Sequence, residues 1–308
     1  MKLYRSIIDL VGNTPLIELT NIEKKYNLKS HLIAKIEMFN PSSSVKVRIA
    51  KSMIMKALKK GKINQDTIII EPTSGNTGIS LALICACLKM RFIAVMPESM
   101  SVERRKLISC YGGEIVLTPA NEGMQGSVNK ANQLLSEYEN SFMPSQFDNE
   151  ANPEIHYLTT GPEIYDDLDG NIDIIVAGIG TGGTLTGISK YLKQKKSIYS
   201  IGVEPLSSPL INKGYSSTHK IQGIGANFVP NTLDLSYIDK VEMVSDEDSI
   251  IFSQELAKEE GLFVGFSSGA AYKIALEEAK KEENEGKYIV VILPDTGERY
   301  LSTNLVGE

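Results

Sequence analysis

Lys46 has the most chemistry in its surroundings. It follows Asn40-Pro41-Ser42-Ser43-Ser44-Val45, a turn-forming stretch rich in hydroxyls, and opens Val47-Arg48-Ile49, a run suited to helix. A lysine amine condenses with an aldehyde to a Schiff base, so a lysine at such a junction is a candidate anchor for a carbonyl cofactor. Most lysines are solvated surface charges, and alone this one would be read that way. What raises it is the order of the segments that follow: Thr73-Ser74-Gly75-Asn76-Thr77-Gly78, then Gly180-Thr181-Gly182-Gly183-Thr184.

The second of these leaves an apolar strand and enters a helix that contains Leu185 and Ile188. Its glycines let backbone amides converge, the helix N-terminus favours an anion, and the threonines add hydroxyl donors. A nucleotide P-loop is disfavoured because no Gly-Lys-Ser/Thr follows, and the full Gly-x-Gly-x-x-Gly dinucleotide spacing is missing. Thr73 to Gly78 is a loop of the same chemical type. Its amides and hydroxyls suit a carboxylate and Asn76 suits a phenolate oxygen, although an ordinary capped helix start would look the same. Gln146 and Phe147 lie in a short polar loop that could complete a carboxylate clamp. Gly265-Phe266-Ser267-Ser268-Gly269 precedes a helix expected over 270–281, where serine is commonly an N-cap. Its other reading is a neutral partner for a pyridine nitrogen, which delocalises a carbanion weakly and favours β-elimination over transamination. A lysine anchor, a phosphate cradle and a pyridine partner together describe pyridoxal phosphate. His31, His156 and His219 sit in unrelated contexts, and no Gly-x-Ser-x-Gly motif supplies a serine for a triad.

The elements that would position these residues alternate. β-Branched runs at 67–70, 92–96, 114–117, 172–176, 200–203 and 288–293 are each followed by a turn, most of them leading into a helical stretch. The helix after Ser101 opens with an imperfect capping box, Arg104 standing where Glu is preferred. Such alternation predicts an α/β fold of mostly parallel twisted sheets covered by helices on both faces, with ligands at the carboxyl ends of the strands. Gly12 to Leu16 suggests an early strand that pairs elsewhere. Ser145 to Pro153 is the best-marked internal boundary.

The 308 residues suffice for two domains, and 42% hydrophobic with 23% charged residues is ordinary for a globular protein. A net charge of −6 without a dense basic cluster argues against nucleic acid, and the lysines at 24–25 and 193–196 read as solvated faces. The apolar run Ile79 to Leu88 is too short to span a bilayer, and no signal peptide is seen. Cys85, Cys87 and Cys110 lack histidines at ligand spacing, so no metal is expected, and buried thiols in a reducing cytoplasm are the natural reading.

Together these segments resemble the cysteine synthase and cystathionine β-synthase family of fold-type II pyridoxal phosphate enzymes. The resemblance is carried by Gly12 to Leu16, Asn40 to Ile49, Glu71 to Gly78, Gln146-Phe147, Ala177 to Gly187, His219 to Pro230, Gly261 to Ala271 and Pro294 to Tyr300. It implies two α/β domains: a smaller mobile one over 39–149, with part of the N-terminus possibly added, and a larger phosphate-binding one over 13–38 and 150–308. It implies that Lys46 holds the cofactor and removes the substrate α-proton, Asn76 contacts the ring phenolate oxygen, and Ser267 the ring nitrogen. Gly180, Thr181, Gly182, Gly183 and Thr184 would bind the phosphate. Thr73, Ser74, Gly75, Thr77 and Gln146 would hold the substrate carboxylate, and Gly223, in Gln222-Gly223-Ile224-Gly225, would lie beside the substrate amine.

The implied reaction is β-replacement on an amino acid through an aminoacrylate, with O-acetylserine and sulfide giving cysteine and acetate. Val47 and Ser43 depart from the family pattern at variable positions. Asn227 departs at a more pointed one, where sulfhydrylases usually carry glycine and cystathionine β-synthase-like members aspartate. A polar side chain there opens the alternative that cysteine is the donor, with sulfide released and serine, lanthionine or cystathionine formed; capping of a local turn explains Asn227 equally well. A third reading, a non-catalytic regulatory binding protein, is opposed by Lys46, Asn76 and Ser267 together. The resemblance further implies a homodimer and opens binding of the C-terminal tail of serine acetyltransferase; the chain length and the residues before Asn13 lead us to expect a core enzyme without an appended regulatory domain or haem site.

Overall fold

The computed structural model describes residues 3–73, 75–99 and 101–307. Its strands are β1 Leu16–Glu18, β2 His31–Ile36, β3 Ile68–Pro72, β4 Phe92–Pro97, β5 Glu114–Thr118, β6 Ser141–Phe142, β7 Ile174–Gly178, β8 Tyr199–Pro205, β9 Lys240–Val244 and β10 Tyr288–Leu293. The α-helices are α1 Thr20–Tyr26, α2 Lys46–Lys59, α3 Asn76–Leu88, α4 Val102–Cys110, α5 Gly123–Glu137, α6 Ala151–Ile155, α7 Gly161–Asp167, α8 Gly183–Lys195, α9 Leu210–Lys213, α10 Asp246–Glu260 and α11 Phe266–Ala279. The chain forms two compact units, one of Met1–Val11 with Asn40–Ala151 and one of Gly12–Phe39 with Asn152–Glu308.

In the first unit a four-stranded parallel sheet runs β5-β4-β3-β6. Successive side chains of a strand point to opposite faces, and both faces here are apolar. Ile69 of β3 joins a core with Ile54, Ile79, Leu83 and Phe92, whereas its neighbour Ile70 packs with Ile93, Val95, Ala131 and Leu134. The long apolar run is explained by α3, buried from Thr77 through Cys85. Its large aliphatic side chains Ile79, Leu81, Leu83 and Ile84 each contribute about 1.5–3 kcal/mol relative to exposure. A left-handed Lys89 (φ 58) ends the helix.

The second unit has a six-stranded sheet in the order β1-β2-β10-β7-β8-β9, parallel except for β1 against β2. Ile174 and Val176 of β7 face a core completed by α11, while Ile175 and Ala177 face Leu185, Ile188 and Leu192 of α8. The early strand therefore pairs within this sheet as its antiparallel edge. Within each unit the parallel arrangement carries the loops after the strands to one edge of its own sheet, where β3 leads to Thr73 and β7 to residues 179–182.

Several local expectations need correction. Ser101 precedes α4 but forms no capping hydrogen bond; Arg104 at the third helical position has no acceptor to return to the cap, so a box cannot close. The helix expected over 270–281 starts at Phe266, making Gly265 the N-cap and placing Ser267 inside the first turn. The lysine faces are ion-paired rather than merely solvated: Lys25 meets Glu255 and Glu259 at 2.7 and 2.8 Å, and Lys193 meets Asp239 at 2.7 Å. Only Cys85 is buried, which pushes its thiol up to about 12; Cys87 is half-buried and Cys110 exposed. No helix among the described residues is long and apolar enough to cross a membrane.

Candidate active site

In the first unit the functional candidates gather where β3 hands over to α3. The N-cap of α3 is Gly75, which has no side chain to cap with, so an ordinary side-chain cap does not account for this loop. Asn76 and Thr77 occupy the first two helical positions, where backbone N–H groups lack partners within the helix. Thr77 Oγ1 donates to Gln146 Oε1 at 2.6 Å, bringing the two loops together. Thr73 is buried against Gly78, where an added Cβ would come within 2.8 Å of its methyl carbon. Ser74 lies outside the described residues. Lys46 is the half-buried first residue of α2, which packs on α3. The turn before it is tied to the same helix by a 2.9 Å contact between Ser42 Oγ and Ser80 Oγ.

Behind this cluster stands Glu71, a buried carboxylate whose role was not foreseen. It accepts from Ser145 N at 2.9 Å and Gln146 N at 3.1 Å. Burial pushes its carboxyl up to about 7; the two N–H groups oppose that shift and the nearby Asp148 charge adds to it. The sequence signal was present, because Glu71 directly follows three isoleucines in a strand expected to be covered on both faces.

In the second unit, β7 leads through Gly180, Thr181 and Gly182 into α8. Gly182 is left-handed (φ 78), a conformation that glycine adopts without steric cost. A Cβ on Gly180 would collide with the carbonyl oxygen of Gly223, and one on Gly183 with the side-chain amide of Asn152. The Gln222–Gly225 segment lies alongside, with Gly225 N donating to Ile179 O at 2.9 Å. Ser267 is buried on α11 with its Oγ 3.3 Å from where a Gly223 Cβ would stand. Gly180, Gly223 and Ser267 are thus brought together.

The threonines of this loop are held from behind. Asn152 Nδ2 donates to Thr181 Oγ1 at 2.9 Å, and Thr232 Oγ1 donates to Thr181 O at 2.6 Å. His156, fully buried, places Nε2 3.2 Å from Thr184 Oγ1 and Nδ1 2.8 Å from Thr160 Oγ1. The expectation that His156 stands in an unrelated context is therefore corrected: it is unrelated in sequence but adjacent in space. His219 has a local role, its Nε2 lying 3.0 Å from Gly225 O. Asn227 is left-handed (φ 65), and its Oδ1 accepts from Ser208 Oγ at 3.2 Å.

Chemically, the second unit offers an anion cradle of glycine backbone, two threonine hydroxyls and the N-terminus of a 13-residue helix, with a buried neutral hydroxyl near its rim. The first unit offers a lysine amine and a cluster of amide and hydroxyl groups suited to a carboxylate. The whole chain was also compared with known proteins. Residues 7–295 match the family model described as pyridoxal-phosphate dependent enzyme. The chain is 54% identical over 306 residues to a protein of Campylobacter jejuni named cysteine synthase B, covering 99% of each. It superposes on a cysteine synthase (OASS) structure from Entamoeba histolytica with a TM-score of 0.95 at 38% identity, covering 99% of this chain and 91% of that one. A hydrogen sulfide-producing enzyme from Fusobacterium nucleatum matches with a TM-score of 0.93 at 43% identity, covering 97% of this chain and 100% of that one. The chain belongs to the pyridoxal-phosphate dependent enzyme family, and pyridoxal phosphate is its cofactor.

Proposed function

We propose that this protein is a cysteine synthase, replacing the acetate of O-acetyl-L-serine with sulfide to give L-cysteine. The observation that carries this reading is the 54% identity, over essentially the whole chain, to the Campylobacter jejuni protein named cysteine synthase B. The residues fit the cofactor. The Gly180–Thr184 loop has no room for side chains at Gly180 and Gly183 and ends at a helix N-terminus, which suits a phosphate. Bound pyridoxal phosphate supplies an electron-accepting ring conjugated to the substrate amine.

In this reading Lys46 would hold the cofactor through its amine, and the same amine would take the substrate α-proton. Asn76 donates to the ring oxygen. Ser267 would offer the ring nitrogen a hydroxyl rather than a carboxylate, which favours loss of the β-substituent over transamination. Thr73, Ser74, Gly75, Thr77 and Gln146 hold the substrate carboxylate, and Gly223 lies beside the substrate amine. The hydrogen bond from Thr77 to Gln146 Oε1 supports a division of labour in which Thr77 orients the amide and Gln146 Nε2 donates to the carboxylate. The smaller domain spans 39–149 and carries the loops that hold the carboxylate. The protein works as a cytoplasmic homodimer and receives the C-terminal tail of a serine acetyltransferase; light scattering and titration with a tail peptide test these points.

A second reading takes cysteine as donor and releases sulfide, supported by the 43% identity to the Fusobacterium nucleatum sulfide-producing enzyme. One experiment separates them. Purified holoenzyme is given O-acetylserine with sulfide, and separately cysteine alone or with homocysteine, while cysteine and sulfide are quantified. Fast cysteine formation with slow sulfide release supports the synthase. The reverse ranking assigns cysteine as donor, and absence of both products refutes β-replacement at sulfur.

A further inference from the structure

The parallel ladder between β3 and β6 is short: it pairs Ile68 with Ser141 and Ile69 with Phe142. Pro144 has no N–H to extend it, and the chain turns at Ser145, which is left-handed (φ 56). A serine there is strained relative to glycine, so something must hold it. Glu71 does so, its two carboxylate oxygens taking one N–H each from Ser145 and Gln146. The side chain of β3 thereby continues, past the end of the ladder, the work that backbone carbonyls do within it.

We propose that Glu71 is a positioning residue for the Gln146 side of the substrate-carboxylate clamp. It fixes the Ser145–Gln146 backbone, and Thr77 then orients the Gln146 amide, so the donors meet an amino-acid carboxylate at a defined place. The proposal rests on the β-replacement reading above, which assigns Thr77 and Gln146 to that carboxylate. Ionisation matters because two donors need two acceptors. A carboxylate presents both, whereas a glutamine presents one acceptor and sets its NH2 against the other N–H. Protonating Glu71 weakens one of its two acceptors without setting a donor against the N–H, a milder effect of the same sign, so the clamp loosens as pH falls through about 7. Asp148, the charged group acting on Glu71 from the same loop, raises that midpoint.

The test uses holoenzyme carrying Glu71→Gln or Glu71→Asp. In Glu71→Gln the KM for the amino-acid donor is expected to rise about tenfold, the effect of one lost buried hydrogen bond. The change in kcat stays within about threefold, because the reacting groups are untouched. Cofactor absorbance is unchanged, and the acidic limb of the KM–pH profile flattens. Hydrogen exchange across 143–150 accelerates, and Glu71→Asp, which keeps both acceptors, recovers part of the protection. A folded Glu71→Gln with wild-type KM and wild-type exchange refutes the proposal, as does parallel loss of cofactor and kcat with exchange unaltered. The exchange measurement needs no turnover. If wild type proves inactive toward both donors, the functional reading fails while the role of Glu71 in holding this loop still stands or falls on exchange.

Discussion

The charged form of Glu71 is costly to the fold, and that cost can be measured. Its carboxyl is raised from 4.5 to about 7 by burial. Below about pH 4.5 the folded and unfolded states both hold the proton, and this group adds no slope. Between 4.5 and 7 the folded chain keeps a proton that the unfolded chain has released, so stability declines as pH rises. Above about 7 both states are ionised and the slope vanishes. At 1.36 kcal/mol per pH unit the whole decline is about 3 kcal/mol. Glu71→Gln does not titrate. It carries a pH-independent penalty, on the order of 1–3 kcal/mol, for its mismatched NH2. The variant should therefore be less stable than wild type at pH 4.5 and similar to it, or more stable, at pH 8. With a urea slope of about 2–3 kcal/mol/M, the gap between the two midpoints should move by about 1 M across that range. Other titrating groups cancel in the difference because they are common to both proteins. Wild-type and variant midpoints that run parallel from pH 4.5 to 8 would refute the argument, showing that Glu71 is ionised throughout or contributes nothing to the transition.

Gly183→Ala drives a methyl into Asn152 and should displace it from Thr181; we expect the dissociation constant for pyridoxal phosphate, followed by its absorbance on dialysis and re-addition, to rise at least about tenfold. His156→Ala removes the contact to Thr184 and should weaken cofactor retention, whereas His156→Gln keeps a donor and should recover part of it; equal retention in wild type and a folded His156→Ala would remove this residue from the cradle. Asn227→Gly should change stability by no more than about 0.5 kcal/mol, while Asn227→Val, forced to φ 65, should lose about 1–2 kcal/mol in chemical denaturation. A changed ranking of sulfur nucleophiles in Asn227→Gly, read from product ratios, would instead give Asn227 a place in specificity.

What was legible in the sequence is what is contiguous in it. Lys46, the Thr73 to Gly78 loop and the Gly180 to Thr184 loop are each a few residues between a strand and a helix, so their chemistry and their place at the strand ends can be read together. The groups that hold them were not legible, because their partners are remote. Glu71 lies 75 residues from Gln146, Asn152 lies 29 from Thr181, and His156 lies 28 from Thr184. Ser267 shows a subtler limit. A serine near a helix start is ambiguous by a residue or two, and the structure moves it from a possible cap to a buried position one step inside the helix. Asn227 was ambiguous between chemistry and turn geometry. Its left-handed backbone explains why asparagine can stand where the family commonly has glycine, since both tolerate positive φ.

The supporting bonds also decide which way the hydroxyls of the two loops donate. Asn152 donates to the oxygen of Thr181, so the Thr181 hydrogen is not spent on that contact and is available to an anion. A His156 ring that accepts from Thr160 at Nδ1 carries its hydrogen on Nε2 and gives it to Thr184, leaving that hydroxyl hydrogen available in the same way. Thr77 is wired in the opposite sense, spending its hydrogen on Gln146 and thereby fixing the amide. In the cradle, then, Thr181 is a donor whose direction Asn152 sets, and His156 does the same for Thr184 in the tautomer that carries its hydrogen on Nε2. In the carboxylate clamp the threonine is the support and glutamine is the donor, with Glu71 fixing the backbone from which it reaches. Thr77→Val should accordingly act like a weaker Glu71→Gln, raising KM for the amino acid, whereas Thr181→Val should act on cofactor affinity. If the two valine variants exchange these phenotypes, the direction assigned to the hydroxyls is wrong.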